Sequence, residues 1–377
     1  MQYRKFGKLD VKVSSLGFGT MRLPLNSNVD SDINEPEAIR MLRHAIDNGV
    51  NYIDTAYPYH QGKSENLVAK ALKDGYREKV LLATKLPVWL VKEYSDFDKY
   101  LNEQLKKLET GQIDFYLLHS LSKKEWKKMI DLDVFKALEN YKKSGKVKYI
   151  GFSFHDDFET FREIIDAYDW DFCQIQYNYM DEHEQAGTEG LRYAASKNIG
   201  VVVMEPIRGG HLSANPPDQV KEIWNSAPVK RSPAEWALRW VWNHPEVSVV
   251  LSGMSNIEQV EENIRVASAA EPESMTSEEL TIVGKVRDTY RGLTKISCTG
   301  CRYCMPCPFG VSIPGNFNIY NDAFVYNILE SKRKEYQGRE SSKLAANCHD
   351  CGKCEEACPQ HLPIRKLLKD VDAALAR

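Results

Sequence analysis

Three short segments decide how this chain is read: Asn51-Tyr52-Ile53-Asp54, Val80-Leu81-Leu82-Ala83-Thr84-Lys85 and Asp114-Phe115-Tyr116-Leu117-Leu118-His119. Each is a brief, mostly apolar run that stops on a charged or titratable side chain, which suits a strand buried in a sheet. Between them, residues 64–73 and 95–108 carry apolar side chains at i, i+3 and i+4 among charged ones, the period of an amphipathic helix. The alternation continues in both directions. Further strands are expected at 15–19, 149–153, 172–176, 200–204 and 248–252, and further helices at 35–48, 134–144, 157–168, 189–197, 232–243 and 257–267. Eight strand–helix repeats in about 250 residues are what a (β/α)8 barrel requires. The competing doubly wound sheet calls for Gly-x-Gly-x-x-Gly after its first strand, and none is found there. The expected fold is therefore α/β, a (β/α)8 TIM barrel. Ahead of it, residues 2–6 and 10–13 flank Gly7-Lys8-Leu9 and read as an N-terminal β-hairpin able to plug one end. Gly49, Gly75, Gly145 and Gly200 each follow a helix, where a glycine ends it.

The composition is that of a globular protein: 377 residues, 42% apolar, 27% charged, net charge −3. With no long basic block, nucleic acid and membrane surfaces gain no electrostatic support as partners. No apolar run approaches the ~20 residues of a membrane helix, and the first residues lack a signal-peptide core, so the expected location is cytoplasmic. Of the nine cysteines, Cys173 stands alone and reads as a core thiol; the other eight fall between Cys298 and Cys358. Disulfides would need an oxidising compartment, so metal binding is the better reading. The expected domains are 1–275, a connecting helix within 276–296 (its core at 278–291), and a tail at 297–377.

Barrel chemistry sits at the C-terminal ends of strands. Asp54, Lys85 and His119 should converge there, and the following loop supplies Tyr57 and Tyr59. A phenol beside an ammonium loses its proton more readily than at its reference pKa of ~10, and a carboxylate behind the ammonium fixes it. Such a tyrosine can protonate a carbonyl oxygen as the carbon is reduced. Spacing does not choose between the two tyrosines.

The run Asn51-Tyr52-Ile53-Asp54-Thr55-Ala56-Tyr57-Pro58-Tyr59, followed by Gly62-Lys63-Ser64-Glu65, resembles the aldo-keto reductase signature. Thr84-Lys85-Leu86 and the segment ending in His119 resemble its next two motifs. The resemblance covers residues 1 to about 270. It implies a catalytic tetrad of Asp54, Tyr59, Lys85 and His119, and NADP or NAD as cofactor. It further implies that Gly19, Thr20 and Met21 approach the nicotinamide, and that Ser153 and Gln174 hold its carboxamide. Met204, Pro206, Ile207, Arg208 and Gly210 match the loop after strand seven, with Arg208 facing the pyrophosphate. Gly253, Met254 and Ser255 precede a helix whose Gln259, Glu262 and Asn263 match adenosine-end contacts. Read alone, that segment is a capped helix entrance. Met204 departs from the aromatic residue many members stack on the nicotinamide, and Gln259 departs from the arginine of many NADP-selective members. Pro87-Val88-Trp89, Trp126 and residues 211–230 with Trp224 should border the mouth, either gripping substrate or packing the loops.

In the tail, Cys348, Cys351, Cys354 and Cys358-Pro359 have the bacterial ferredoxin spacing, while Cys298, Cys301, Cys304 and Cys307-Pro308 are one residue shorter before the last cysteine. The tail resembles small, mainly helical ferredoxin-like iron–sulfur domains fused to larger oxidoreductases, with residues 319–334 helical. That resemblance implies two 4Fe-4S clusters, on Cys298, Cys301, Cys304 with Cys358, and on Cys348, Cys351, Cys354 with Cys307. Zinc is the alternative occupant. The expected function is reversible NAD(P)H-dependent reduction of an aldehyde or ketone, a small-molecule carbonyl substrate. The iron–sulfur domain would serve electron transfer, redox sensing or structure, with an electron-transfer protein as candidate partner. The alternative is a redox-sensing or partner-binding module that keeps a nicotinamide pocket without turnover.

Overall fold

In the computed structural model, which describes residues 1–298, 304–358 and 361–377, the eight apolar runs become eight parallel strands. They are β3 (Leu16–Gly19), β4 (Tyr52–Asp54), β5 (Leu81–Leu86), β6 (Ile113–Leu121), β7 (Val147–Phe154), β8 (Phe172–Gln176), β9 (Gly200–Met204) and β10 (Val247–Gly253). They close in the order β10-β3-β4-β5-β6-β7-β8-β9. The hairpin, β1 (Tyr3–Phe6) and β2 (Leu9–Ser14), pairs antiparallel ahead of them.

Side chains alternate faces along a strand, and one parity fills the barrel. Tyr52, Ala83, Phe115, Leu117, Phe172, Val202, Val249 and Leu251 form a continuous apolar cluster with Phe6 and Val13 of the hairpin. Phe6 is fully buried, with its ring 4.9 Å from that of Phe115 and 5.8 Å from that of Phe172. The hairpin is thus the plug that the sequence suggested. Two residues further along, the same inward parity places Gly19, Asp54, Lys85, His119, Ser153, Gln174, Met204 and Gly253, one from each strand. The pairing registers agree: Gly19 lies opposite Asp54, Lys85 opposite Leu117, Ser153 opposite Gln174, and Gly253 opposite Gly19.

Gly49 and Gly145 end their helices at positive φ, whereas the helix before Gly75 stops at Ala71 and Asp74 is already left-handed at φ 60°. Gly200 differs: Asn198 takes the left-handed position (φ 57°), and Gly200 lies under Phe6, where a β-carbon would sit 2.5 Å from the ring. Its role is space for the plug. Among the α-helices before residue 276, two escaped the periodicity, Lys123–Asp131 and Asp218–Ser226. Each buries just two side chains, Trp126 with Met129 and Val220 with Trp224, so the apolar stripe is short among charges.

Two compact units divide the chain: Met1–Gly209 with Glu235–Thr276, and Gly210–Ala234 with Ser277–Arg377. Residues 210–234 follow a barrel strand in sequence yet belong to the second unit. There the helix Asp218–Ser226 packs against the helix Ser277–Gly292, and Arg231 pairs with Glu279 at 2.6 Å, both largely buried. The helices Ile313–Val325 and Ile364–Leu375 bury Phe317, Ile319, Leu368 and Val371 in one core. Residues 319–334 are not one helix: Asn327, left-handed at φ 54°, ends the first at Val325 before Leu329–Gln337 begins. Among the described residues no helix is long and apolar enough to cross a membrane.

Because Phe6 closes an otherwise open barrel end, Phe6→Ala should cost about 3–5 kcal/mol of stability. Calorimetric melting of the full chain checks this; an unchanged melting temperature would deny the hairpin its plugging role.

Candidate active site

Asp54 ends β4 and Lys85 lies near the end of β5, so both face inward at one mouth. The Lys85 ammonium, fully buried, donates to Asp54 Oδ1 at 2.7 Å, to the Thr55 carbonyl at 2.9 Å and to Tyr59 Oη at 3.2 Å. An ammonium has three hydrogens and here three acceptors, so the buried charge is fully partnered. The imidazole of His119 meets the Tyr59 ring edge-on, with centroids 6.0 Å apart. The four expected catalytic side chains therefore come together. Tyr57, the tyrosine that spacing could not exclude, turns away: its hydroxyl donates to Glu103 at 3.0 Å, and Lys107 lies 3.9 Å from its ring centre.

Tyr59 is aimed by a tight reversal. His60 and Gln61 both hold left-handed conformations, φ 52° and 54°, which cost about 1–3 kcal/mol each. The buried His60 ring offsets this. Its Nε2 accepts the Leu23 N–H at 3.3 Å, so Nδ1 carries the proton donated to the Asp30 carbonyl at 2.7 Å.

Electrostatics differ from expectation in one respect. Burial pushes the Tyr59 phenol above its ordinary value, and the opposing pull of Lys85 is smaller, so the hydroxyl stays protonated at neutral pH. The expected lowering is outweighed because the ring is desolvated. Burial also works against the Lys85 ammonium, but Asp54 and Tyr59 carry it above the usual lysine range. Burial, and then Lys85, hold His119 well below the usual imidazole range, which makes it a neutral hydrogen-bonding group.

Gln104, outside the quoted motifs, links the motif residues Glu65 and Tyr116 to the strand backbone beneath Lys85. Gln104 donates to the Lys85 carbonyl at 3.0 Å and to Glu65 at 2.6 Å, and accepts from the Tyr116 hydroxyl at 2.7 Å. Glu65 also accepts from Thr84 at 2.8 Å. Neither residue lies at a strand end, so strand-end chemistry gave no signal for them; burial of a glutamine on the apolar face of a helix was the cue available.

Where a nicotinamide would lie, Ser153 and Gln174 stand side by side on β7 and β8. Ser153 Oγ accepts the Ser120 N–H at 2.7 Å, and the Gln174 amide donates to Met204 Sδ at 3.3 Å. Gln174 Oε1 is buried with no partner among the described residues, an acceptor suited to an incoming amide N–H. Thr20 is turned inward, bonded to the Asp54 carbonyl at 3.0 Å and to Ser64 at 2.8 Å, while Met21 is exposed. Pro206 is buried in the loop after β9; Ile207 and Arg208 are half-buried, and the Arg208 guanidinium lies 3.6 Å from buried Asp181. Gly210 opens the second unit. Gly253 lies beside Gly19, Met254 is buried, and Ser255 donates its N–H to Gln259 Oε1 at 2.8 Å. Buried Asn263 is committed to Ser252 at 2.9 Å, and Glu262 lies one position before it, half-buried. Of the loop aromatics, Trp126 and Trp224 are buried as packing, whereas Trp89 is exposed and 5.2 Å from His119.

In the second unit, Cys304, Cys307, Cys348, Cys351 and Cys354 line a cavity of about 120 Å³ with Pro308, His349 and Arg365. Cys298 and Cys358 pack on the same apolar core. Cys301 lies outside the described residues. Among the described residues, no three His, Cys, Asp or Glu side chains converge within reach of one metal ion. Cys173 is buried in the barrel wall, and burial pushes its thiol up.

A closed parallel barrel with this buried lysine at its mouth defines a class of enzyme, and comparison with known proteins defines the family. Residues 15–282 match the aldo/keto reductase family, and residues 297–363 match the 4Fe-4S dicluster domain. The chain belongs to the aldo/keto reductase family and is an NAD(P)-dependent oxidoreductase with a C-terminal 4Fe-4S dicluster domain. It is similar to a Bacillus subtilis protein described as uncharacterized oxidoreductase YqkF, 29% identical over 313 residues, 74% of this chain and 94% of that one. It is also similar to L-galactose dehydrogenase of Arabidopsis thaliana, 27% identical over 320 residues, 78% and 97% of the two chains. Among solved structures, the holo form of aldo-keto reductase AKR11C1 from Bacillus halodurans superposes with a TM-score of 0.64 at 29% identity, covering 76% of this chain and 96% of its own.

The downward shift of His119 has a direct readout. In an NMR titration, with His119→Gln assigning the signal, this imidazole should remain neutral at pH 6.5, near its reference pKa, and protonate only well below it. A midpoint at or above that value would contradict the buried geometry.

Proposed function

We propose that the barrel reduces an aldehyde or ketone to the alcohol, reversibly, with NADPH or NADH. The observation that carries this reading is the fully partnered Lys85 ammonium, held between Asp54 and the Tyr59 hydroxyl. The dinucleotide, when bound, supplies hydride to the carbonyl carbon. Ser153 and Gln174 would hold its carboxamide, and the unpartnered Gln174 oxygen fits that task.

The chain's own part is proton delivery and charge placement. The Tyr59 hydroxyl, kept protonated by burial, donates its proton to the carbonyl oxygen. The phenolate left behind faces Lys85 at hydrogen-bond distance, where the ammonium stabilises it. Asp54 keeps Lys85 charged and fixed. Neutral His119, beside the Tyr59 ring, offers a hydrogen bond that orients the carbonyl oxygen. Oxidation of an alcohol uses the same atoms in reverse, with Tyr59 accepting the proton. Gln259, a neutral amide, pairs poorly with a 2′-phosphate, which supports use of NADH alongside NADPH.

We read the tail as holding two 4Fe-4S clusters, one on Cys348, Cys351, Cys354 and Cys307, the other on Cys298, Cys301, Cys304 and Cys358. The first of these sets lines one cavity, which Cys304 also borders and Cys358 does not, and this supports the crossed wiring. The carbonyl chemistry needs no iron, so the clusters serve electron transfer with a protein partner, redox sensing or structure.

Two experiments test these readings. Tyr59→Phe should lower turnover of simple aldehydes by about 100-fold or more, the scale of one general acid, while dinucleotide affinity stays near that of the unmodified chain; near-normal turnover would sink the assignment. Anaerobically purified protein should contain about eight irons with matching acid-labile sulfide, as two four-iron clusters require. Zinc without sulfide would refute the cluster reading.

A further inference from the structure

We propose that Arg22, a residue of no recognised motif here, is the cation that grips the diphosphate of the dinucleotide; this rests on the dinucleotide reading above.

Arg22 closes the single turn Thr20–Arg22 that follows β3. Its carbonyl accepts the Ser255 hydroxyl at 2.9 Å, which anchors the backbone to the loop after β10. Its aliphatic stem then lies on Gly253, where a β-carbon would come within 3.3 Å of the Arg22 Cβ and Cγ. Its Nη2 reaches Gly209 in the loop after β9, where a β-carbon would come within 3.0 Å. Both glycines therefore make room for one arginine, which spans the loops above β9, β10 and β3. A dinucleotide with its carboxamide at Ser153 and Gln174 and its adenosine toward the helix Ile257–Ala269 must cross this span, since β9, β10 and β3 are consecutive around the barrel.

Charge separates Arg22 from Arg208. The Arg208 guanidinium lies 3.6 Å from Asp181 Oδ2, a buried carboxylate that also accepts from Gln176 at 2.8 Å and Asn178 at 2.9 Å. Its positive charge is already matched. Among the described residues the Arg22 guanidinium faces no carboxylate within ion-pair distance, and it is exposed at the mouth. A planar guanidinium presents paired N–H donors that match two phosphate oxygens at once. The diphosphate is common to NADH and NADPH, so this grip is indifferent to the 2′-position.

The test measures binding of NADH, NADPH and ADP-ribose to the full chain, with Arg22→Met and Arg22→Lys beside the unmodified protein. Removing charge-assisted hydrogen bonds predicts a loss of roughly 10- to 100-fold for Arg22→Met, by a common factor for all three ligands, with partial recovery in Arg22→Lys. An equal melting temperature without ligand shows that the variant is folded. Undiminished binding by Arg22→Met would overturn the proposal, as would a loss confined to NADPH, which belongs to a 2′-phosphate contact. Should the unmodified chain bind none of the three, the dinucleotide reading itself fails, a result separable from failure of Arg22 alone.

Discussion

Everything at the mouth of this barrel depends on one buried charge. A lysine ammonium taken wholly out of water is tolerable when each of its hydrogens meets an acceptor and a counter-charge lies in contact. Lys85 meets those conditions through Asp54, the Thr55 carbonyl and Tyr59. All three acceptors come from β4 and the loop behind it, so strand pairing between β4 and β5 is simultaneously what closes the sheet and what keeps the lysine charged. Because the phenol is one of the three partners, its position follows from the same requirement.

Holding such a charge demands rigidity further out. Gln104 ties the Lys85 carbonyl to a helix, and through Glu65 and Thr84 the helix Ser64–Ala71 is tied to the same strand. His60 pins the strained turn behind Tyr59. These contacts touch no substrate. They reduce the freedom of Lys85 and Tyr59, which favours a preorganised site over one that must form on binding.

The barrel was legible because its evidence is local: short apolar runs alternating eight times with period-3.6 stretches leave few alternatives. Strands 172–176 and 200–204 fall where they were expected. Strand ends also flagged Asp54, Lys85 and His119, since inward-facing tops of strands are a one-dimensional property. What resisted reading is non-local. Arg22 acquires meaning when loops 209 and 253 meet it in space, and Gly200, which resembles a helix stop, is explained by a ring nearly 200 residues away in sequence. The net direction of the Tyr59 shift was missed for the same reason, because burial depends on the packing of the whole mouth. Asn327 carried a weak signal, as asparagine tolerates left-handed backbone, but the apolar period runs past it.

The grouping of residues 210–234 with the C-terminal segment gives the protein an unusual wiring. The chain leaves the first unit after Gly209, returns at Glu235 and leaves again after Thr276. The iron–sulfur portion is therefore not a pendant that could be clipped from a self-sufficient reductase. A chain ending near residue 276 would keep the helix Asp218–Ser226 while losing the helix it packs against, and Arg231 would keep its burial while losing Glu279.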